Sequence, residues 1–250
     1  MNLLLSSTIN EWTKLRSRKK TVFFLALIAL LPFLGLPAVM KLQGGFGIAA
    51  IAGSDYPITV LNLLASFVLP LLIFMSAADM FSGEFGDKTI RSVLARPVSR
   101  FKIFFAKLIA AFSLVAAGLL LGWISSAIAS FFLPHADGLP RALAESALAH
   151  AVTALPLFAI CAAAVVVAMF FKHASGALAI CILVYAAAKL LGFVLPQYAA
   201  WLPTAYMDWH ELWIGSAATA GRIATVFSYL LGCGIVLSTL GYCAFDKKEV

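Results

Sequence analysis

The sequence predicts an all-α integral membrane protein with six transmembrane helices, an N-terminal amphipathic helix in the interface, and a short cytoplasmic helix between spans two and three. Three observations carry this. Mean hydropathy is +1.00 and 63% of the 250 residues are hydrophobic, a composition that would aggregate in water. Apolar runs of about 20 residues, enough to cross a bilayer, recur six times. Charged residues make up only 12% of the chain, yet FSGEFGDKTIRSVLARPVSR, Phe81 to Arg100, holds six of them in twenty positions.

Ahead of the first span, Leu5, Ile9, Trp12 and Leu15 fall on one side of a helix, with Asn10, Lys14 and Arg18 largely opposite. That pattern describes a helix lying in the interface. Arg16 breaks the apolar face, although a long arginine near the helix end reaches the phosphates. A basic flank that merely sets topology is the alternative. The first apolar run follows five basic residues, is a full span long and has no convincing cleavage site, so retention is expected rather than removal as a signal peptide.

The apolar runs are Thr21 to Met40, Ile58 to Ala78, Leu108 to Leu133, Ala151 to Phe171, Ala174 to Leu195 and Ile223 to Phe245; only the fifth contains a formal charge, Lys189. Taken to full length the spans are approximately 21–40, 58–78, 105–133, 148–171, 174–195 and 223–245, in one transmembrane domain, 1–250. The runs are continuously apolar, unlike the ten-residue alternation of a membrane barrel, so the spans are helical. The third exceeds what a bilayer needs and should tilt, bend or project. Pro32, Pro37, Pro70 and Pro156 lie inside the runs, where proline removes a backbone donor and bends a helix unless neighbours compensate. Such bends occur in transporters and in plain bundles alike.

Orientation follows from the cations. Lys14, Arg16, Arg18, Lys19 and Lys20 precede span one. Lys88, Arg91, Arg96, Arg100, Lys102 and Lys107 lie between spans two and three, Lys172 between four and five, and Lys247 and Lys248 after six. Fourteen of eighteen therefore share one side, which the positive-inside rule makes the cytoplasm, with both termini. The basic character reflects topology and gives no reason to expect nucleic acid.

Cys161, Cys181, Cys233 and Cys243 lie in or beside apolar runs without metal-ligand spacing and read as small core residues. His135, His150, His173 and His210 are scattered, and Glu145 five residues before His150 is not a zinc-protease pairing. No nucleophile with a base can be assembled and there is no Walker-type phosphate loop, so no catalytic, cofactor-binding or metal-ligating residue is assigned. Any ATP must be bound by another chain.

Within Phe81–Arg100, Asp87 can cap a helix over Lys88–Ala95 that Pro97 ends. Ile90, Val93 and Leu94 share one face, with Lys88 and Arg91 opposite. Gly83 and Gly86 suit a chain that turns sharply on leaving span two. Glu84 at the membrane border needs solvent or a partner, and Arg91, Arg100 or Lys88 could serve. A solvated loop obeying positive-inside statistics is the competing reading.

The succession Asp79, Ser82-Gly83-Glu84, Asp87-Lys88-Thr89, IRSVLARPVSR at Ile90–Arg100, and Lys107 resembles the signature of ABC-2 type transporter permeases. In that family a glutamate precedes a Gly-Thr pair, a short helix ends in Pro-Val-Ser-Arg, and a lysine opens the next span. Here Lys88 stands where glycine is usual. Among its members, the chain looks nearest to the small six-span permeases of drug or bacteriocin resistance, sodium export and copper-site maturation. The resemblance implies an export permease in the cell membrane, of bacterial plasma-membrane type. It would pair with a second permease copy or relative and with two cytoplasmic ATPase subunits that bind ATP and Mg. The charged helix would be the coupling helix, anchored by Ile90, Val93 and Leu94. Glu84, Asp87, Thr89 and Arg100 would support it, and Lys88 and Arg91 would face the partner or the headgroups.

In WLPTAYMDWHELWIG, Trp201, Tyr206, Trp209 and Trp213 lie on the outer side. They form either an aromatic belt or, as the resemblance implies, short helices that dip back into the outer leaflet as a gate, with Asp208 as a cap. Lys189 either binds an anionic group or snorkels outward.

Competing with an ATP-driven permease are a self-contained secondary transporter or channel and an intramembrane enzyme. The first would carry buried charges near the midplane and usually an internal repeat; the second needs paired catalytic groups at one depth. Neither pattern is visible in the sequence.

Overall fold

Helix α1 (Leu3–Arg16) opens the chain and α2 (Lys19–Phe46) follows after a break at Ser17–Arg18. The structure is a computed structural model and describes residues 3–46, 52–87, 89, 98–134, 138–214 and 220–248. Five further long helices follow: α3 (Tyr56–Gly86), α4 (Arg100–Ser130), α5 (Leu139–Met169), α6 (Ala174–Val194) and, after two short helical turns, the last. The turns are α7 (Pro196–Ala199) and α8 (Glu211–Ile214), separated by a 3₁₀ turn at Pro203–Tyr206, and the last long helix is α9 (Ala220–Lys247). Six of these helices are long and apolar enough to cross a membrane. No strand occurs among the described residues. The chain is an all-α multi-pass membrane protein.

Three helices form the middle of the bundle. The most apolar stretches of α3, α4 and α5 are each 61% buried, against 11% for α2 and α6 and 22% for α9. α2 packs on α4, α9 on α5, and α6 against α3 and α5, while α1 lies along α4. The inner helices are rich in small residues, which let backbones approach where lipid gives no hydrophobic push. At Gly122 an added Cβ would lie 2.6 Å from Leu64 Cδ1, so a side chain there would have to push the Leu64 side chain of α3 aside.

The helices run further than the apolar runs. Span two extends from Tyr56 to Gly86 rather than ending near residue 78, and span four starts at Leu139 rather than near 148. At each extension the polar residues are satisfied within the protein. Arg141 Nε donates to Glu145 Oε1 at 2.8 Å along α5, and the charges of α3 are paired as described below. Helix α3 contains two π-helical turns, Leu64–Val68 and Ala78–Gly83. The first ends just before Pro70, where a wider turn absorbs the missing backbone donor.

The face of α1 turned to the bundle differs from the expected stripe. Leu15 is buried at 1% exposure and Glu11 at 4%, whereas Leu5 and Ile9 are both 54% exposed. The buried side is rotated toward Glu11 because that carboxylate finds its partner on α4, leaving Leu5 and Ile9 directed outward. Of the cysteines, Cys161 and Cys181 are buried core residues, while Cys233 is half-buried and Cys243 exposed on the outward side of α9.

Candidate functional site: the charged root of the segment between spans two and three

Glu84 closes α3 in a buried position. Its Oε2 accepts a hydrogen bond from Lys107 Nζ at 2.7 Å, and the same ammonium donates to Glu11 Oε2 at 2.9 Å. Lys107 is fully buried. Lys14 adds a second cation, 2.7 Å from Glu11 Oε1 and 3.6 Å from Glu84 Oε1. Two carboxylates and two ammonium groups from three helices thus form a neutral quartet, the condition under which buried charge is tolerated. Burial pushes the Glu11 carboxyl up, but Lys107 and Lys14 outweigh it and hold it below its ordinary value.

The π turn explains why α3 can present two acids to this place. Asp79 and Glu84 are five residues apart, which in a regular α-helix puts them roughly 140° apart; i→i+5 bonding brings residues at that spacing into line. Asp79 meets Arg18 at 2.9 Å and Lys20 at 3.6 Å. Both acids line a cleft of about 380 Å³ with Lys14, Arg18 and Asp87.

The other neighbours close the root from behind. Phe81 and Phe104 stack against Phe245 of α9, with ring centroids 6.5 and 5.7 Å from it, and Phe85 joins at 5.8 Å. Ser82 Oγ donates to the carbonyl of Phe171 at 2.9 Å. Lys248 Nζ donates to the carbonyls of Met169 and Phe171 at 2.7 and 3.0 Å, capping the end of α5, and lies 4.5 Å from the centre of the Phe85 ring. At Gly86 an added Cβ would stand 2.3 Å from the carbonyl oxygen of Lys172. This glycine permits close approach and its backbone is helical; it makes no sharp turn, and neither does Gly83, whose φ is −62°.

Where α4 begins, Ser99 caps it by accepting from Lys102 N at 3.5 Å. Arg100 Nη1 donates to the carbonyl of Asp246 at 2.6 Å, so Arg100 is engaged with α9 and is not the partner of Glu84. Asp87 is exposed, its N–H bonded to the Gly83 carbonyl at 2.9 Å. Thr89 Oγ1 donates to the Glu84 carbonyl at 3.3 Å. Lys88, Ile90, Arg91, Val93 and Leu94 lie outside the described residues, and with them the expected helix. The stem at Glu84 is therefore held by α1, α4, α9 and the α5–α6 connection, and the stem at Arg100 by α9.

At the opposite end, Trp209 is 4% exposed and its Nε1 donates to the Val152 carbonyl of α5 at 2.9 Å. Trp213 packs edge-on against it with centroids 5.6 Å apart. Tyr206 stacks on Tyr229 at 5.2 Å, and the Tyr229 hydroxyl donates to the Trp201 carbonyl at 2.6 Å. Trp201 and Asp208 are exposed; Asp208 accepts from Glu211 N through its carbonyl, at 3.0 Å. His210 is fully buried, and neither ring nitrogen makes a hydrogen bond of ordinary geometry. Burial pushes its pKa down, only partly offset by Asp208, the Met207 backbone and Glu211.

Sequence reasoning missed Glu11 altogether and gave Lys107 no buried role. A signal existed for the first, because Glu11 is the only acidic residue in the first 54. For the second, the flanking FFA and LIAAF around Lys107 marked a cation set among apolar neighbours.

No curated protein matches the chain. A family match does exist, to ABC-2 family transporter proteins, and it extends over residues 8–189, taking in α1 from Thr8 onward, the Asp79–Glu84 turn and Lys107. Members of that family are membrane transport components that generally work with an ATPase subunit. Because the match covers most of the sequence, the chain belongs to the ABC-2 transporter family and is a multi-pass transport permease.

Proposed function

We propose that the chain is the permease subunit of an ATP-driven exporter in the cell membrane. It forms the substrate pathway with a second copy or a homologous permease, and two cytoplasmic ATPase subunits bind ATP and Mg. Both termini face the cytoplasm. The segment between α3 and α4 docks on the ATPase through Lys88 and Arg91 and is anchored by Ile90, Val93 and Leu94. Trp201, Tyr206, Asp208, Trp209 and Trp213 form the outer gate.

The observation that supports this reading is the Glu11–Lys107–Glu84 cluster at the root of the docking segment. ATPase closure can shift the spans only if the docked element is differentially stabilised in one conformation and rigidly connected to them. A buried charge network is expensive to break and supplies that connection to α1, α3 and α4 together. The test is copurification with its ATPase followed by native mass spectrometry, with a mass of two permeases and two ATPases expected. A lone monomer in mild detergent would count decisively against the proposal.

A further inference from the structure

Lys189 of α6 and Arg222 of α9 line one cavity of about 520 Å³ at the end opposite the charged root, together with Tyr206, Thr204 and Asp208. Among the described residues neither cation has a carboxylate within salt-bridge distance, although seven other ion pairs form. The neighbour of Lys189 is the Tyr185 ring, 5.9 Å from its Nζ. Lys189 lies within α6 and Arg222 is an exposed cation in the first turn of α9, so two cations without a carboxylate partner border one cavity; a cation within a span faces a ligand, a partner or water.

Two further cavities lie beside it. A second, of about 500 Å³, shares Tyr206, Asp208 and Arg222 with it and passes Trp209 and Val226. A third, of about 480 Å³, shares Trp209 and is walled by apolar side chains only, including Phe112, Phe158, Trp213 and Phe227. Polarity therefore changes across these neighbouring cavities, from Lys189 and Arg222 with Asp208 and Glu211 to an aromatic trough on the far side of Trp209.

We infer that these neighbouring cavities bind an anionic amphiphile, with the head held by Lys189 and Arg222 and the chain lying in the trough beside Trp209. The head is a monoanion of the phosphodiester or carboxylate kind. Asp208 at the same cavity and Glu211 at the next would repel a head of higher charge. A guanidinium and an ammonium together suit a phosphate oxygen pair, and basic pockets between membrane helices hold lipid heads in this way. Charge and chain are both required: the cations give selectivity over zwitterions, the trough gives affinity through apolar burial. The inference concerns this chain alone and does not depend on an ATPase partner.

The experiment uses the purified full chain in mild detergent, titrated with phosphatidylglycerol or phosphatidylcholine and read by native mass spectrometry. Retention of one phosphatidylglycerol at concentrations where phosphatidylcholine is lost is expected. Lys189→Gln with Arg222→Gln should weaken it on the order of ten-fold or more, the loss of charged hydrogen bonds. Arg222→Gln alone, at an exposed side chain, should give a partial loss and serves if the double variant fails to fold. Lys189→Arg should retain binding, and Arg141→Gln, at an exposed cation paired with Glu145 and absent from the lining of these cavities, should change nothing. Phe227→Asp should weaken the phospholipid without creating binding of inorganic phosphate. Equal retention of both lipids, an unaltered Arg222→Gln protein, an equal loss in Arg141→Gln, or displacement by equimolar inorganic phosphate would each overturn the assignment. To separate a bilayer lipid from a transported amphiphile, soluble decyl phosphate is added to lipid-loaded protein. Its displacement of phosphatidylglycerol identifies a site open to single-chain cargo; its failure to displace identifies a site for two-chain bilayer lipid.

Discussion

Lys107 Nζ lies 2.7 Å from Glu84 Oε2 and both side chains are buried, although 23 residues separate them. That pair joins the end of α3 to the second turn of α4, across the segment that the docking proposal makes functional. Removing one member leaves charge buried without compensation, at a cost of roughly 3–5 kcal/mol. Lys107→Ala should therefore lower the unfolding temperature in detergent markedly. Lys107→Met combined with Glu84→Gln should recover part of the loss, and additive effects in a double-mutant cycle would show that the two do not interact.

Glu84→Ala removes the other member of the pair and should share that loss of stability, so coupling is read per recovered complex. In the reconstituted permease–ATPase complex, substrate-stimulated ATP hydrolysis should fall by more than complex recovery does. Leu94→Asp, at a position outside the described residues, should act more severely by charging the anchoring face, and Lys88→Ala should chiefly weaken docking. Wild-type coupling in both Glu84→Ala and Leu94→Asp would remove the docking assignment.

Two neighbouring glycines should respond unequally. A Cβ at Gly86 meets backbone at 2.3 Å, while one at Gly83 meets the Ala174 Cβ at an ordinary 3.5 Å. Gly86→Ala should destabilise by about 1–3 kcal/mol, as overpacking does, and Gly83→Ala by much less. Comparable melting temperatures for the two variants would contradict the close approach of α3 to the α5–α6 connection.

The spans were legible because lipid admits only continuous apolar helix; their ends were not, because polar residues beyond the apolar run stayed helical once paired. Asp79 and Glu84 illustrate this, lying outside the run that ends at Ala78 yet inside α3. The importance of Glu84 was readable from its position at a membrane border. Its partner was not, since Arg91, Arg100 and Lys88 are near in sequence while the pairing that forms is tertiary. Glu11 reaches Lys107 across 96 residues, a relationship no local pattern encodes.

Acid should act in two windows. The folded pKa of His210 is depressed from 6.5, so its contribution to stability is complete above 6.5 and declines as pH falls toward the lowered value. That of Glu11 is depressed from 4.5, so its contribution is complete above 4.5 and is lost as pH falls through the folded value. Melting temperatures between pH 8 and 2 should fall in two steps, the upper one diminished by His210→Phe. An undiminished upper step in His210→Phe would assign it elsewhere.

Cysteines introduced one at a time into a cysteine-free background should test orientation. One near residue 44 should react with an impermeant reagent in intact cells, and one at Ser99 should not. The reverse pattern would invert the assignment of the termini.

A π turn amounts to one surplus residue in a helix, and at about 100° per residue that surplus is an angular offset carried by everything beyond it. The turn at Ala78–Gly83 thus works like an index mark between two shafts: upstream, α3 is keyed to its apolar neighbours, and downstream, Glu84 is keyed to Lys107. Ironing the turn into regular helix would rotate Glu84 by about a quarter-turn away from its lysine, with no change at any contact above Ala78. The phase between the membrane-embedded part of α3 and its charged end is consequently written in a count of residues, and losing one residue there would reset it.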